Sequence, residues 1–523
     1  MLQLSGIAAN QSDIRQKMQA LIGKGSTEEF YAKWLANFCT RADIDSLAAW
    51  GFNSVRLPMH YNLFTLAAEE EKMPGQNTWL EKGFQLTDSL LRWCEANKIY
   101  LILDLHAAPG GQGHDVPISD YDTTKASLWQ SEANRKKTIA LWEKLAERYA
   151  NEPWMGGYDL LNETNWGFQD ANDKNGCAEK ENTPLRKLLV DITTAIRRVD
   201  KNHLIIVEGN CWGNNYSGVF PLWDDNTAIS FHKYWNYTDK ASVQSFLNIR
   251  HQLNAPVWMG ESGENSNVWF RNNIALLEQN NIGWCWWPLK KMGVNNPLQV
   301  ATNDGYERIK SYWKGEGEKP EAEAAKQALM QLAGATRIDK NVFHPDVTDA
   351  MFRQVHNTKA IAFSQQIISG NATIPAVDFD LGRNGYAYFA TDSANLWVST
   401  GERTSWNKGG AYRNDAVDIL ADESGNHYVA GIKAGEWLQY TRTLSAAGKY
   451  NINLRLRNAG PSTQIILSVN NKDQLQSAAI STATSWDELL LGTVELPAGE
   501  NVFRLQVPEG VCDIESLILE QTK

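Results

Sequence analysis

The hydrophobic pattern of residues 50–290 repeats one theme, in which a short apolar run is followed by a polar loop and an amphipathic segment. The apolar runs are FNSVRL (52–57), IYLILDL (99–105), GYDLL (157–161), HLIIVE (203–208), AISF (228–231), PVWMG (256–260) and IGWCWW (282–287). Helical patterns separate most of them, for example at residues 79–97, 132–150 and 184–200. This alternation predicts parallel strands joined by crossover helices, with the strands buried on both faces.

Seven such units over this length favour a (β/α)8 TIM barrel over an open sheet, so the fold class of this part is α/β. An eighth strand, expected before residue 40, is hard to find. Only MLQL at residues 1–4 offers an apolar run there. We therefore expect the chain to begin within the first barrel strand or just after it.

The pattern changes after residue 290. Residues 314–334 combine a charged entry containing Gly and Pro with a helical pattern, and from about residue 374 short runs of alternating apolar and polar residues follow closely on one another. The run YNINLRLR (450–457) is typical of a half-buried antiparallel strand. We predict a barrel with a helical extension over residues 1–355, a linker over 356–373 and an all-β, jelly-roll-like sandwich over 374–523.

Composition and net charge limit the classes of partner and site that this chain can have. The net charge is −11 and no basic block occurs, which argues against nucleic acid and anionic membranes as partners. No apolar run approaches the roughly 18 residues of a membrane span, and the start of the chain does not resemble a signal peptide. The six cysteines are scattered, with no CxxC pair and no tight framework, so their spacing gives only weak support for a metal or redox site. The 21 tryptophans fit either sugar stacking or a Trp-rich core.

Polar side chains stand where the predicted strands end. In a (β/α)8 barrel the carboxyl ends of all the strands meet at one rim, and that rim carries the active site. The residues at these ends are Arg56, His106, Asn162, Glu163, His232, Tyr234, Glu261 and Trp287. We therefore expect these eight side chains, which include two carboxylates, to converge.

A pair of carboxylates at such a rim is typical of the catalytic residues of glycoside hydrolases. One carboxyl group must be protonated to serve as the acid, and the other must be ionised to attack the anomeric carbon. Arg56 and Tyr234 could stabilise the ionised group, and His232 could adjust the proton of the acid. Each residue alone has a plainer explanation, such as a helix cap, a structural histidine or an internal salt bridge. Their coincidence at the positions that the fold predicts favours catalysis.

Asn162 and Trp287 suit sugar recognition, since an amide can bind the 2-hydroxyl group and an indole can stack on the ring. Other motifs fail. LIGKGS (21–26) lacks the first glycine of a phosphate-binding loop and the hydroxyl residue directly after its lysine, and GNCWG (209–213) has no central serine. His106 and His114 lack a carboxylate or cysteine at ligand spacing. We expect no metal and no cofactor.

Residues 40–300 resemble glycoside hydrolase family 5, the cellulase family. The motifs that carry the resemblance are GFNSVRLP, LILDLHAAPGGQ, YDLLNET, FHKY, WMGESG and GWCWWPLKK. The resemblance implies that Glu163 is the general acid/base and Glu261 the nucleophile of a retaining double displacement without a metal. It also implies that the other six rim residues bind substrate, with Trp287 favoured over Trp286 by register. The usual first-strand segment of the family is absent or reduced to MLQL.

The C-terminal part resembles carbohydrate-binding module family 6, through YRNDAVDI, the run from YVAGIKAGEWLQY to NINLRLRN, and VELPAGENVFRLQV. In such a module Tyr412 and Trp486 would be the stacking platforms. The Asn–x–Asp pair usual in the final strand of that family is not complete, because VCDIESL offers only Asp513. The module is therefore either a sugar-binding domain or a purely structural one.

The function that follows is hydrolysis of a β-glucan polysaccharide or oligosaccharide by a monomeric enzyme. The DLHAAPGG motif favours a substrate with β-1,3 linkages, whereas the family in general favours substrates with β-1,4 linkages. Exo and endo action, a transglycosylase, a β-mannanase and a catalytically impaired carbohydrate-binding protein all remain open. A polymer substrate implies an extracellular or periplasmic enzyme.

Overall fold

The computed structural model describes residues 4, 6–170, 172–471, 473–482 and 484–522. Its first half is organised around one parallel seven-stranded sheet in sequence order. The strands are β1 Ser54–His60, β2 Tyr100–Ala107, β3 Met155–Asp159, β4 Leu204–Glu208, β5 Thr227–Lys233, β6 Val257–Ser262 and β7 Gly283–Trp284. Each predicted apolar run forms one strand, and the curled sheet confirms the barrel-like α/β class.

The sheet has two edges. Within the described residues β1 pairs only with β2, and β7 pairs only with β6. The expected eighth strand is therefore not seen there. Of the MLQL segment, residues 1–3 lie outside the described residues, and Leu4 packs in a cluster of helical residues. A largely apolar cavity of about 1590 Å³ follows the gap between β1 and β7 and reaches His106 and Trp287 at one end.

Helices cover the outside of the sheet. They are α1 Gln11–Ile22, α2 Lys24–Asn37, α3 Arg41–Trp50, α4 Glu81–Ala96, α5 Val116–Ser119, α6 Glu132–Tyr149, α7 Thr183–Val199, α8 Asn210–Gly213, α9 Gln244–Leu253 and α10 Asn267–Gln279. In α7 the apolar residues recur at helical spacing, so Leu185, Leu188, Leu189 and Ile192 all face the sheet and are buried. Its early proline costs no hydrogen bond, because the first N–H groups of a helix have no partner within it.

A helical extension follows the sheet. It consists of β8 Lys290–Lys291, β9 Leu298–Gln299, α11 Asp304–Lys314, α12 Ala322–Ala335, β10 Val342–Phe343, α13 Pro345–Met351 and α14 Arg353–His356. The extension folds back on the N-terminal helices, where α12 packs against α2. A fully buried ion pair of Lys290 with Asp43 joins the two regions. Among the described residues no helix combines the length and the apolar character that a membrane span requires.

The C-terminal part of the chain, from Ile367 to Gln521, is a β-sandwich, as predicted. Its elements are β11 Ile367–Ile368, β12 Ala372–Pro375, β13 Tyr388–Phe389, α15 Trp397–Thr400, β14 Ile419–Ala421, β15 His427–Lys433, β16 Trp437–Leu444, β17 Gly448–Arg457, β18 Gln464–Val469, β19 Asp473–Gln476, β20 Asp487–Leu496, β21 Gly499–Glu509 and β22 Val511–Gln521. They form two sheets, with the central order β16–β21–β18 in one and β15–β22–β17 in the other. In β17 the alternate residues Tyr450, Ile452, Leu454 and Leu456 point into the shared core. β11 and the start of β12 fall inside the 356–373 segment that the sequence predicts as a linker.

Buried amides and carboxylates join the sandwich to the barrel. Asn267, at the start of α10, donates to Asp346 over 2.8 Å and to Asp415 over 3.2 Å. Asn414 of the sandwich donates to the carbonyl oxygen of Asn265 over 3.0 Å. All these side chains are buried, so the hydrogen bonds fix one relative orientation of the two halves.

One disulfide bond lies outside what the cysteine spacing predicts. Cys177 and Cys211 form a disulfide bond between the loop after β3 and the turn after β4. The two residues are 34 apart in sequence and belong to no tight motif, so spacing alone could not pair them. Both segments lie at the carboxyl ends of the strands, where they border the rim residues.

Candidate active site

Arg56 lies at the centre of the rim, and its guanidinium group meets carboxylates from four strands. Its Nη1 lies 3.0 Å from Glu261 and 3.2 Å from Asp104, its Nε donates to Asp159 over 2.9 Å, and its Nη2 lies 3.1 Å from Glu208. Burial alone would lower its pKa, but these four acids raise it well above the ordinary value. Arg56 is therefore a permanent buried cation that holds the acids of the rim together.

Glu261, near the end of β6, is held as an anion. Its Oε2 accepts from Arg56, and its Oε1 accepts from the Tyr234 hydroxyl over 2.8 Å. Burial works to raise its pKa, but the positive charges of His232, Arg56 and His106 and the Tyr234 hydrogen bond outweigh it, so the pKa lies below the usual glutamate value. A buried carboxylate that stays ionised is suited to act as a nucleophile.

Glu163 lies four residues beyond β3, in the opposite electrostatic state. Burial is the main reason why its pKa is raised, and repulsion from Glu261 and Glu208 adds to that effect, while His232 opposes it. Its Oε1 lies 2.6 Å from Nδ1 of His232, and its backbone N–H donates to Oε2 of Glu208 over 2.7 Å. The backbone φ of Glu163 is +42°, a conformation that costs a residue with a side chain free energy.

The two carboxylates are close enough to act on one bond. A carboxylate oxygen of Glu163, one of Glu261 and a ring nitrogen of His232 all lie within 4.8 Å of one another. This separation fits the roughly 5 Å of retaining glycosidases rather than the wider gap of inverting ones. Three such groups could also hold a metal ion, but the flanking acids raise the pKa of His232 well above its ordinary value, and a protonated imidazole has no free ligand atom.

Asn162 presents a free donor beside this pair. Its Oδ1 accepts from Arg56 over 2.8 Å, and its carbonyl oxygen accepts from Gln112 over 2.9 Å. Its Nδ2 is buried and has no hydrogen-bond partner. An unmet buried donor costs free energy, and an acceptor placed next to this amide would remove that cost.

His106 and Trp287 form one side of the site. Their rings are stacked with centroids 5.2 Å apart and an interplanar angle of 4°. Nδ1 of His106 lies 2.8 Å from Asp104, which outweighs burial and raises the pKa of the imidazole. The backbone N–H of Trp287 donates to the carbonyl oxygen of Ser262 over 2.6 Å, so the end of β6 fixes this tryptophan. All eight predicted rim residues thus lie in one connected group.

Sequence reasoning missed three acids of this group, namely Asp104, Asp159 and Glu208. All three are fully buried and contact Arg56. Glu208 is the last residue of the run HLIIVE, so the rule that selected the other strand ends also applied to it. Asp104 and Asp159 are charged residues inside apolar runs, and such residues signal a buried partner.

The disulfide bond braces the loops beside Glu163. The indole N–H of Trp212, next to Cys211, donates to Asp115 over 3.2 Å, and its backbone N–H donates to the carbonyl oxygen of Thr164 over 3.1 Å. His114 stacks on Trp166 with centroids 4.0 Å apart. Three loops therefore support one another on the Glu163 side of the site.

The structure does not bring Tyr412 and Trp486 together. Tyr412 contacts His427 and donates to Asp378, whereas Trp486 packs edge-on against Tyr428. His427 and Tyr428 are neighbours on β15 and so point to opposite faces of the strand. The two predicted platforms therefore belong to different surfaces.

Asp513 is fully engaged within the sandwich. It pairs with Arg457 and accepts from Asn458 and from the backbone of Gly431. The Arg457 guanidinium lies over both Tyr428 and Trp486, with its carbon 4.6 and 4.4 Å from the ring centroids. The group has the contacts of a structural cluster on the outer face of the sheet.

Residues 413–518 match the model of the carbohydrate-binding module of family 35. The prediction of family 6 for this region was wrong in that detail, although the broader prediction of a carbohydrate-binding module is confirmed. An incomplete Asn–x–Asp pair is thus no defect of this chain, because the comparison family was not the right one.

Three characterised relatives share part of the sequence. A β-xylosidase from Phanerodontia chrysosporium is 26% identical over 340 residues, covering 58% of this chain and 67% of the relative. Endoglucanase C from Acetivibrio thermocellus is 29% identical over 199 residues, covering 38% and 50%. A glucan 1,3-β-glucosidase from Blumeria graminis is 30% identical over 167 residues, covering 30% and 36%. The matches thus span between about one third and two thirds of the relatives' lengths.

The catalytic half gives the decisive match. Residues 14–293, more than half of the chain, match the model of the cellulase family, glycosyl hydrolase family 5. The matched range contains the seven-stranded sheet and every residue of the rim. The chain therefore belongs to glycosyl hydrolase family 5.

Proposed function

We propose that this protein is a retaining β-glycosidase that cleaves a β-glucan by double displacement, with Glu163 as the general acid/base and Glu261 as the nucleophile. The observation that carries the proposal is a pair of buried carboxylates within 4.8 Å whose pKa values are shifted in opposite directions. Environments that separate the pKa values of two neighbouring acids assign one as the acid and the other as the base or nucleophile.

In the first step a carboxylate oxygen of Glu261 attacks the anomeric carbon. The bond between that carbon and the glycosidic oxygen breaks, and Glu163 gives its proton to the departing oxygen. The product is a glycosyl ester on Glu261. Arg56 and Tyr234, which hold the Glu261 carboxylate, orient it for this attack.

In the second step Glu163, now ionised, takes a proton from water, and the water oxygen attacks the same carbon. The ester bond breaks and Glu261 leaves as a carboxylate. The two inversions give net retention at the anomeric carbon. His232, with Nδ1 2.6 Å from Glu163, stabilises the carboxylate in this second role.

The free Nδ2 of Asn162 supports a contact with the 2-hydroxyl group of the sugar at the cleavage point. This contact strengthens as the ring flattens in the oxocarbenium-like transition state. Trp287 offers an apolar surface for the ring, and the stack with His106 holds it in place. These residues bind sugar without selecting a linkage.

The names of the relatives bear on the substrate. Two of them are named for cleaving glucans, one as an endoglucanase and one as a glucan 1,3-β-glucosidase, which supports β-1,4- or β-1,3-glucan. The relative that covers the largest share of this chain among those described is named a β-xylosidase. A β-xyloside is therefore the second candidate substrate.

The test is a substrate panel with carboxymethylcellulose, laminarin, mixed-linkage glucan, mannan, xylan and the aryl β-glucoside and β-xyloside. Release of reducing sugar identifies the substrate, and proton NMR of the first product gives its anomeric configuration. We expect a β product and its loss in Glu261→Ala. The matched control is Glu264→Ala, since Glu264 pairs with Lys291 instead. An α first product, or full activity in Glu261→Ala, overturns the proposal.

We further propose that the enzyme works outside the cytoplasm and that the sandwich binds polysaccharide. The Cys177–Cys211 bond supports an oxidising compartment, where disulfide bonds persist. The match to a carbohydrate-binding module supports glycan contact by the sandwich. Retention on columns of insoluble glucan, compared for the whole chain and the Trp486→Ala variant, tests whether Trp486 takes part.

A further inference from the structure

Glu208 touches both the backbone of Glu163 and the ring of His232. Its Oε2 accepts the Glu163 N–H over 2.7 Å, and its Oε1 lies 3.0 Å from Nε2 of His232. Burial would raise the pKa of Glu208, but His232, Arg56 and the Glu163 N–H lower it to about 2, so the group is an anion throughout the working range. Both carboxylate oxygens of Glu208 are therefore engaged, since Oε1 also lies 3.1 Å from Nη2 of Arg56.

The geometry assigns Glu208 as a positioning residue that controls where the catalytic proton resides. His232 lies between two carboxylates, with Nδ1 toward Glu163 and Nε2 toward Glu208. The fixed negative charge on one side of the ring favours the imidazolium form, so a proton is kept next to Glu163. The same carboxylate holds the Glu163 backbone in its unfavourable conformation through the N–H bond.

Four other titratable groups act on this contact. The charge of Glu261 raises the pKa of His232, and the charge of Arg56 lowers the pKa of Glu208. Asp159 and Tyr216 also interact electrostatically with Glu208. Arg56 is permanently charged, and the pKa of Tyr216 is raised by burial, so neither changes its charge in the working pH range. The pKa of Asp159 is raised well above its ordinary value, first by burial and then by the charge of Glu208. Removing that charge therefore acts on Asp159 as well as on the pair of His232 and Glu163, but only that pair takes part in the proton transfer.

The sign of the effect follows from the role of the proton. The alkaline limb of kcat/KM reports loss of a proton from the coupled pair of Glu163 and His232, since the first step needs a protonated acid. Without the anion of Glu208 this proton leaves more easily, so the alkaline limb moves to lower pH. An opposite charge at this distance shifts a pKa by about 1–3 units.

This inference rests on the proposed glycosidase activity, and the test is a set of pH profiles for Glu208→Gln on two aryl glycosides. The side-chain oxygen of the introduced glutamine can still accept the Glu163 N–H. We expect the alkaline limb to fall by about one unit or more with a phenyl leaving group, which needs the acid. With a dinitrophenyl leaving group, which needs no proton, kcat/KM should change by less than about three-fold.

The matched control is Asp200→Asn, because Asp200 is also a buried acid paired with a histidine, His203, but contacts no rim residue among the described contacts. An unchanged alkaline limb in Glu208→Gln, or equal losses on both leaving groups, overturns the inference. If the wild-type protein cleaves no aryl glycoside, the proposed function fails first. If Glu208→Gln does not fold, Glu208→Asp takes its place. This variant keeps the negative charge, so the alkaline limb of its kcat/KM profile should stay at the pH of the wild type.

A second inference rests on a different region, where the sandwich reaches the catalytic rim. The segment of α15 lies on the loop after β5, with the N–H of Val398 donating to the carbonyl oxygen of Trp235 over 3.0 Å. The N–H of Tyr237 donates to the Ser399 hydroxyl over 2.9 Å. Asn395 exchanges two hydrogen bonds with Asn265 of the barrel, at 2.8 and 3.0 Å.

The contact joins aromatic rings of both halves. The ring of Tyr234, which holds Glu261, lies 5.2 Å from Trp235, and Trp235 lies 5.7 Å from Trp397. Beside them Tyr237 is 47% exposed and Val398 is 53% exposed. Large exposed apolar side chains next to a catalytic pocket mark a ligand surface.

We infer that Trp235, Tyr237, Trp397 and Val398 form a sugar-binding subsite for a further hexose unit of the substrate, built jointly by barrel and sandwich. The occupant follows from continuity with the site, because the chain of rings starts at the partner of the nucleophile. Aromatic and aliphatic surfaces bind the apolar faces of β-linked hexoses by stacking. The inference again depends on the proposed activity toward a β-glycan.

The test compares Trp397→Ala on the longest oligosaccharide that the wild type cleaves and on an aryl monoglycoside. We expect kcat/KM to fall about ten-fold on the oligosaccharide, mainly through KM. On the monoglycoside it should stay within about two-fold of the wild type. The guanidinium carbon of Arg403 lies 4.8 Å from the ring centroid of Trp397. The matched control is Trp437→Ala, since Trp437 likewise has an arginine, Arg504, 4.1 Å from its ring centroid but lies elsewhere on the sandwich.

Equal losses on both substrates would mean that Trp397 only supports the Tyr234 loop, and no loss would mean that the surface binds nothing. Either result overturns the subsite. Tyr237→Ala, which alters the surface from the barrel side, keeps the test valid if Trp397→Ala loosens the contact between the two halves. A wild type that cleaves no oligosaccharide contradicts the proposed function instead.

Discussion

Replacing Tyr234 by phenylalanine removes one hydroxyl group and leaves the ring in place beside Trp235. That hydroxyl donates to the Glu261 carboxylate over 2.8 Å. A hydrogen bond to a buried charged group contributes about 1.5–3 kcal/mol. Since about 1.36 kcal/mol corresponds to a factor of ten, we expect kcat/KM to fall by about 10- to 150-fold if the bond is needed in the transition state.

The same contact also predicts the direction in which the pH profile of kcat/KM shifts. The Tyr234 bond is one of the interactions that hold the pKa of Glu261 below its usual value, so its loss raises that pKa. The nucleophile must be ionised to attack. The acid limb of kcat/KM therefore moves to higher pH in Tyr234→Phe, and the alkaline limb stays where it is.

The assay is the kcat/KM of an aryl glycoside between about pH 3 and 9, with Tyr149→Phe as the control. The Tyr149 hydroxyl also donates to a carboxylate, that of Asp88, over 3.0 Å, but this bond joins two helices outside the rim. An acid limb that does not move, or a loss below about two-fold, would refute the reasoning that Tyr234 stabilises the nucleophile. A shift of both limbs would indicate a change in the whole site.

Three further outcomes follow from the same contacts. Arg56→Ala leaves four buried acids without their cation, so it should lower the free energy of unfolding by about 3–5 kcal/mol in urea titrations, whereas Arg15→Ala, at an exposed ion pair, should change it little. Replacing Cys177 and Cys211 by serine should cost about 3–4 kcal/mol, read as a lower melting temperature; an unchanged value would mean that the bond constrains nothing. Asn162→Ala should lower kcat/KM on a glycoside by about 100-fold, because it removes the Nδ2 contact with the 2-hydroxyl group. On the 2-deoxy analogue, which has no such hydroxyl group, the variant and the wild type should differ far less.

Much of the barrel could be predicted because each strand is a continuous apolar run between polar loops. The run at 203–208 forms β4 at Leu204–Glu208, and the helical pattern at 184–200 forms α7 at Thr183–Val199. Boundaries shifted where the regular ladder of strand pairing ends. The sequence pattern extends the strand through Leu160 and Leu161, yet β3 ends at Asp159, although the N–H of Leu160 still donates to the carbonyl oxygen of Ile206 over 3.1 Å.

The remaining features depend on contacts between residues far apart in sequence. No pattern near Glu208 reveals that it will face His232, and none near Trp397 reveals that it will meet Trp235, 162 residues earlier. The same holds for the pairing of Cys177 with Cys211. Periodicity reports which face of an element is buried, but only the assembled fold decides which partner covers it.

The position of Arg56 on β1 has a consequence for heat inactivation. Within the described chain β1 pairs with β2 alone, so the backbone groups on its other side have no strand partner. Local opening takes less free energy where a segment has fewer contacts to break. Such an opening would carry the guanidinium group away from Glu261 while the other six strands stay paired. Activity should therefore be lost several degrees below the temperature at which the protein melts, and return on cooling.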